Sequence, residues 1–351
     1  MEMRKKFDEI FEDCTKLGTK IKTDEYHSNG KHPIIDQGQE MVAGFTDLED
    51  GLLDAVPAIV FGDHTRIIKY VDCPFFLGAD GVKVLRSKVP NANYRYLYYA
   101  LKNAKIPNTG YNRHYKWLKE LEIEYPPIDQ QVKTVKVLDK VESIIYNRQN
   151  QLQKLDELVK ARFVEMFGGI HDSSLYPYVP VKELTHVISG GTPSRDVLEY
   201  WRDGTIPWVK TTELQNKIIT EVDEHITSKG LAASSAKIVP PNTTLIAMYG
   251  QGKTRGMTGY LGISASTNQA CACILPSPEI NSVYIWKYFE LSYDKLRNMA
   301  KGGNQPNLNG NMIKNFPVLV PPIKRQEEYV QFVNQVDKSK AVEGLYSSLC
   351  L

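Results

Sequence analysis

The run Ala247-x-x-x-x-Gly252-Lys253-Thr254 follows an apolar stretch, Thr244-Leu245-Ile246-Ala247-Met248, and nearly matches a phosphate-binding P-loop. In such a loop, backbone N–H groups and the lysine hold phosphates, and the glycine turn opens directly into a helix. The residues that follow here, Arg255-Gly256-Met257-Thr258-Gly259-Tyr260-Leu261-Gly262, carry glycine every third or fourth place, which removes helix propensity. A hairpin turn with a basic tip is the expectation. A P-loop-like nucleotide-binding enzyme using Lys253 and Thr254 is the alternative. Other catalytic patterns are missing: there is no Asn-Pro-Pro-Tyr or Asp-Pro-Pro-Tyr, no His-Glu-x-x-His and no G-x-S-x-G. No catalytic residue is assigned.

A different chemistry is written into several loop-like runs. They are Gly62-Asp63-His64-Thr65-Arg66, Gly110-Tyr111-Asn112-Arg113-His114-Tyr115-Lys116 and Lys301-Gly302-Gly303-Asn304-Gln305-Pro306-Asn307-Leu308-Asn309. Asn and Gln can pair bidentately with adenine, and Arg and Lys with guanine, in the DNA major groove. Glycines allow backbone N–H groups to come close to phosphates. The candidate DNA contacts are His64, Arg66, Arg113 and His114 in the first half of the chain. In the second half they are Lys253, Arg255, Asn304, Gln305 and Asn307.

The elements that must hold these runs are repeated. Leu118-Lys119, an alternating strand to Tyr125, Pro126-Pro127-Ile128 and a glutamine recur as Ile313-Lys314, a strand to Val320, Pro321-Pro322-Ile323 and a glutamine. The proline pairs stand 195 residues apart, as do Asn112 and Asn307. Thr65-Arg66 and Thr254-Arg255 are related at 189. Each half therefore reads as short strands and Gly-rich turns followed by one long helix, with prolines marking the corner. The first helix is predicted from about Gln130 to Phe167, with one stripe through Val135, Leu138, Val141, Ile145, Leu152, Leu155, Val159, Phe163 and Met166. Gly168-Gly169 ends it. The second starts near Lys324, with Tyr329, Phe332, Val333, Val336, Val342 and Leu345 on one side. By the repeat it is shorter than the first, with Gly344 unfavourable in its interior. Two such rods are expected to pack as an antiparallel coiled coil.

The 351 residues suit two or three domains, and 42% hydrophobic content suits a buried core. No run is long and apolar enough for a transmembrane helix, and the N-terminus lacks a secretory apolar region, so a cytoplasmic protein without membrane contact is expected. Five cysteines, an odd number, argue against a disulfide framework. Cys271 and Cys273 read as small buried hydrophobes rather than metal ligands. Net charge is only +2, so any nucleic-acid face must arise by segregating charge.

Ile188-Ser189-Gly190-Gly191-Thr192-Pro193-Ser194, with Tyr200-Trp201-Arg202-Asp203-Gly204-Thr205-Ile206-Pro207-Trp208-Val209, resembles the opening of a target-recognition domain of the type I restriction–modification specificity subunits. The run from Lys301 to Lys314, the Pro-Pro-Ile-x-x-Gln corners and Ile59-Val60-Phe61-Gly62-Asp63-His64-Thr65-Arg66 with Phe75-Phe76-Leu77-Gly78-Ala79-Asp80-Gly81 resemble that family too. The first half lacks Gly-Gly-Thr-Pro and begins Leu17-Gly18-Thr19-Lys20-Ile21 instead, which implies a different half-site. The resemblance spans the chain. It implies an α+β fold of two tandem target-recognition domains joined by two long helices packed as an antiparallel coiled coil. The expected limits are 1–125 and 169–320 for the domains, and 126–168 and 321–351 for the helices, the second shortened. The implied function is recognition of a bipartite, asymmetric sequence in double-stranded DNA and scaffolding of two modification (methyltransferase) subunits and restriction/translocation subunits. The chain would be non-catalytic and bind no cofactor or metal, with S-adenosylmethionine, ATP and Mg on its partners. A coiled-coil adaptor without DNA contact is the remaining alternative.

Overall fold

The computed structural model describes residues 4–250, 252–300 and 307–348, with side chains to residue 340. The chain divides into two compact units, Met1–Asn147 and Arg148–Leu351. Both mix short strands with helices.

The first unit opens with β1 (Arg4–Lys6), α1 (Phe7–Ile10) and β2 (Phe11–Asp13). Strands β3 (His32–Ile35), β4 (Gly44–Thr46), β5 (Ala58–Gly62), β6 (Ile68–Val71), β7 (Phe76–Leu77) and β8 (Val82–Ser87) follow. They form two sheets, in the orders β2-β8-β5-β6 and β4-β3-β7, with β3 and β7 parallel. Helix α2 (Tyr94–Lys102) starts where Asn93 Oδ1 accepts from the Tyr96 N–H, satisfying a donor that the helix itself cannot. After α3 (Tyr115–Lys119), β9 (Glu122–Glu124) returns to pair with β1, and the long helix α4 (Ile128–Phe167) begins. Strand β5 is buried along its whole length, so it carries apolar residues without alternation. Phe7, Phe11, Phe61, Leu85, Leu97 and Leu118 close the core around it.

The second unit repeats this order. Strand β10 (Tyr178–Pro180), α5 (Val181–Leu184) and β11 (Val187–Ser189) match β1, α1 and β2. Strands β12 (Ile206–Val209), β13 (Lys217–Ile219) and β14 (Glu224–Ile226), helix α6 (Ser228–Ala232), then β15 (Thr244–Ala247), β16 (Thr258–Leu261), β17 (Ser266–Thr267) and β18 (Cys271–Ile274) follow. The sheets run β11-β18-β15-β16-β13 and β14-β12-β17; β12 and β17 are parallel like β3 and β7, and β13 adds a second parallel pair, with β16, at the edge of the larger sheet. Helices α7 (Ser282–Leu291), α8 (Tyr293–Met299) and α9 (Gly310–Lys314), strand β19 (Pro317–Leu319) paired with β10, and α10 (Ile323–Ser348) complete it. Asn281 caps α7 as Asn93 caps α2. Strand β13 and helices α6 and α8 have no counterpart among the described residues of the first unit. Cys271 and Cys273 are buried in β18, as expected of small apolar residues.

Both long helices begin within two residues of the positions predicted, directly after their proline pairs. The glutamine three residues into each helix explains the corner. Gln131 Nε2 donates to Pro126 O at 2.8 Å, and Gln326 Nε2 donates to Pro321 O at 2.7 Å, both side chains being buried. Gln326 also accepts from the Asn281 N–H at 2.9 Å. Helix α4 ends at Gly168, whose φ of +80° suits glycine and whose N–H reaches Val164 O at 2.8 Å.

Within the second unit, the end of α4 packs on α10. Phe163 meets the Tyr329 ring edge-on at 5.5 Å, Tyr329 Oη donates to Val159 O at 3.4 Å, and Lys340 pairs with Asp156 at 2.6 Å. Moving back along α4 from Phe163 to Asp156 thus moves forward along α10, so the two helices are antiparallel here. Of the predicted stripe, Val159, Phe163 and Met166 are buried, whereas Ile145, with its neighbours Ile144 and Tyr146, is exposed. In the first unit α4 is clamped to α2 by charge instead. Arg95 binds Asp139, Lys102 binds Glu142 at 2.6 Å, and Tyr99 Oη donates to both carboxylates at 2.7 and 2.9 Å.

Candidate nucleic-acid interface

In the first unit the turn from β5 to β6 is short. The Arg66 N–H returns to Gly62 O at 2.7 Å, and the Gly62 N–H to Ile67 O at 2.8 Å. Arg66 sits at a φ of +63°, a left-handed conformation that costs a non-glycine residue about 1 kcal/mol. Its side chain supplies the compensation, donating from Nη1 to Ile106 O at 3.2 Å. Gln37, from the loop after β3, fastens the turn: its Oε1 accepts from the His64 N–H at 3.2 Å, its carbonyl accepts from Thr65 Oγ1 at 2.7 Å, and its Nε2 donates to Asp80 O at 3.0 Å.

The 103–114 loop is fastened to the same turn by His114. Its N–H donates to Asp63 O at 2.8 Å, and ring Nδ1 faces that same oxygen at 3.0 Å. A carbonyl only accepts, so Nδ1 carries the proton and Nε2 accepts from the Thr109 N–H at 3.4 Å and its hydroxyl at 3.2 Å. Asp63 Oδ1 accepts from the Tyr115 N–H at 2.7 Å. His114 is fully buried with both ring nitrogens engaged. This corrects its place among the candidate DNA contacts: it positions the loop and offers nothing to a ligand. His64, Arg66 and Arg113 remain grouped on that loop cluster. The His64 ring lies stacked on Tyr111, centroids 4.7 Å apart and 11° from parallel, and Arg113 is exposed. Nearby, a hydrogen bond from Lys20 holds the Asp80 carboxyl below its usual range, with Arg113 and His64 adding to the effect.

The second unit uses the same backbone bonds with other side chains. The Gly256 N–H returns to Ala247 O at 2.9 Å, and the Ala247 N–H to Met257 O at 2.9 Å. The Leu308 N–H donates to Met248 O at 3.0 Å, where His114 and Asp63 stand in the first unit. This register equates Arg66 with Gly256 and His114 with Leu308. The matches read from sequence, Arg66 with Arg255 and Asn112 with Asn307, are each one residue out, and the second hairpin holds five more residues between its anchoring groups. Gly252-Lys253-Thr254 lies in this hairpin and leads into strand β16, so no helix N-terminus follows it as phosphate binding would need. Lys253 is exposed, and its carbonyl accepts from Tyr293 Oη at 2.7 Å. The Arg255 carbonyl accepts from Arg297 Nη1 at 3.0 Å. Asn307 is exposed beside Leu308, so Lys253, Arg255 and Asn307 gather at one end of the sheet. Asn304 and Gln305 lie outside the described residues.

Sequence reasoning missed Gln37 and Asp63, which hold the first cluster together. Both are polar residues in turn-like runs, and their partners are distant in sequence. Among the described residues, no group of three or more His, Cys, Asp or Glu side chains could hold a metal, and no helix is long and apolar enough to cross a membrane.

The duplicated architecture agrees with a comparison against known families. The family described as the type I restriction modification DNA specificity domain matches residues 3–157 and again 175–345. The chain belongs to this family. A curated relative, the EcoR124I/EcoR124II specificity subunit of Escherichia coli, is 22% identical over 346 residues, spanning 93% of this chain and 84% of the relative. The MjaIX specificity subunit of Methanocaldococcus jannaschii is 27% identical over 165 residues, 45% of this chain and 37% of that protein. Among solved structures, the type I restriction–modification S subunit from M. genitalium superposes with a TM-score of 0.58 at 16% identity, over 99% of this chain and 92% of that one. A chain from a study of complex assembly and conformational transition of the type I system superposes at 0.52 and 14% identity, over 99% and 94%. These structural likenesses bear on fold. The family assignment is to a DNA-specificity domain, and the relatives are specificity subunits.

Proposed function

We propose that this chain recognises a bipartite, asymmetric sequence in double-stranded DNA and scaffolds two modification subunits and the restriction/translocation subunits of a cytoplasmic type I complex. The observation that carries the reading is one backbone frame used twice with different side chains on its loops. His64, Arg66 and Arg113 ride on one copy, and Lys253, Arg255 and Asn307 on the other. A shared frame with different side chains on it suits two readers of unlike half-sites. Residues 1–125 and 169–320 are the readers in this proposal. Residues 126–168 and 321–351 form the antiparallel coiled coil that spaces them and receives the modification subunits. A 40-residue α4 gives a rod of about 60 Å, longer than the roughly 34–36 Å of one DNA turn. S-adenosylmethionine, ATP and Mg belong to the partners.

The test is single-molecule methylome sequencing of cells carrying this chain with a cognate methyltransferase, against cells lacking the chain. A new bipartite motif with N6-methyladenine in both halves is expected. Arg113→Ala should cost about 1–3 kcal/mol of discrimination in one half-site only. A stable complex that writes no motif would overturn the proposal.

A further inference from the structure

Tyr111 is the most exposed of the large hydrophobic side chains among the described residues, at 86%, and it is nevertheless held in place. One face of its ring is covered by the His64 imidazole in a near-parallel stack at 4.7 Å. The His64 N–H is pinned at 3.2 Å by Gln37. The loop behind Tyr111 is braced by Asn108 Oδ1 accepting from the Gly110 N–H at 3.1 Å, by Asn112 bonding to Thr109 O, and by buried His114. An apolar plane so fixed is a shaped contact rather than a loose side chain.

Resting on the DNA-reading function proposed above, we infer that Tyr111 reads the 5-methyl group of a thymine in the half-site addressed by the first unit. The major groove offers donors, acceptors and one apolar feature, the thymine methyl. Arg113, exposed two residues further along the same loop, can supply polar contacts. The apolar ring matches the remaining feature. With His64 covering one face, the ring presents its edge and its other face. It cannot slide between stacked base pairs without giving up that partner.

The experiment uses the chain assembled with its methyltransferase partner and duplexes carrying the motif, with each thymine replaced in turn by uracil, which lacks only the methyl. The wild-type complex should lose roughly fourfold in affinity at one position of the first unit's half-site, the worth of one buried methyl group. Tyr111→Ala should abolish that dependence and leave the other half-site unchanged, and Tyr111→Phe should keep it. Equal sensitivity to uracil in wild type and Tyr111→Ala, or a uniform loss by Tyr111→Ala on every duplex, would overturn the inference while leaving the DNA-reading function intact. A wild-type complex with no sequence preference would overturn that function as well.

Discussion

Strand β7 of the first unit and strand β17 of the second hold equivalent places, and what lies over them differs. The Ile21 N–H donates to Leu77 O at 2.9 Å, and the Gly191 N–H donates to Thr267 O at 2.9 Å. Ile21 therefore stands where Gly191 does. In the first unit the isoleucine fills the space, buried with Ile34 and Phe76. In the second, the segment after α6 crosses that spot, and a Cβ on Gly191 would come 2.3 Å from the Ala236 backbone nitrogen. Gly191 is thus the accommodation for an inserted segment, and the first unit, which lacks α6, has no need of it. A motif that separates the two halves by sequence is explained by packing above the sheet.

Exchange of these residues should give the largest effects. Gly191→Ile must displace backbone and should cost upward of about 3 kcal/mol, read as a fall in the urea midpoint of the second unit. Ile21→Ala should cost about 2–3 kcal/mol through the cavity it leaves in the first. If Gly191→Ile is tolerated as well as a surface change, the equivalence fails.

The two glutamine corners should separate next. Gln326 serves both Pro321 O and the Asn281 N–H, whereas Gln131 Nε2 serves Pro126 O and its Oε1 is buried without a hydrogen-bond partner among the described residues. Gln326→Leu should therefore cost about 2–3 kcal/mol and Gln131→Leu about 1 kcal/mol in thermal or urea unfolding. Equal losses would mean that the second hydrogen bond contributes nothing.

The smallest expected contrast is in pH. For Asp139 and Glu142 burial works upward, but hydrogen bonds from Tyr99, Arg95 and Lys102 outweigh it and hold both carboxyls below their usual range. Their contribution is full above the unfolded value near 4 and fades as pH falls through the lower folded values. Burial pushes Glu290 up, against the pull of Lys287. Its ionised form is a cost that is relieved as pH falls through that raised value toward about 4.3. Acidification should thus first steady α7 and then loosen α2, the latter by less than about 1 kcal/mol because the pairs on α2 are partly solvated. Hydrogen-exchange protection of the two helices, corrected for intrinsic rates, checks the opposite signs.

What was legible in the sequence was local. The proline corners, the helix starts and the Gly168 stop depend on neighbours a few residues away, and all stand where the pattern put them. His114 beside Arg113 looked like a contact because its partners, Asp63 O and Thr109, become visible only once two loops meet. The one-residue errors in register arose because the Thr-Arg and Asn pairs were matched by identity, while the bonds that define the turns belong to the backbone. The Ile21–Gly191 equivalence left no trace in residue type, since one side fills a space that the other must vacate.

The buried glutamine three residues into each long helix has a wider consequence. Each corner refers its helix to a proline carbonyl immediately before it, and Gln326 ties α10 to the start of α7 as well, so the rotational setting of α4 and α10 is referred to these points and not to the loops between the strands. Lengthening a hairpin by five residues, or adding β13 and α6, then leaves the azimuth of the rod unchanged. The corner is a datum from which the loops above can be lengthened, shortened or rewritten independently of the helix below.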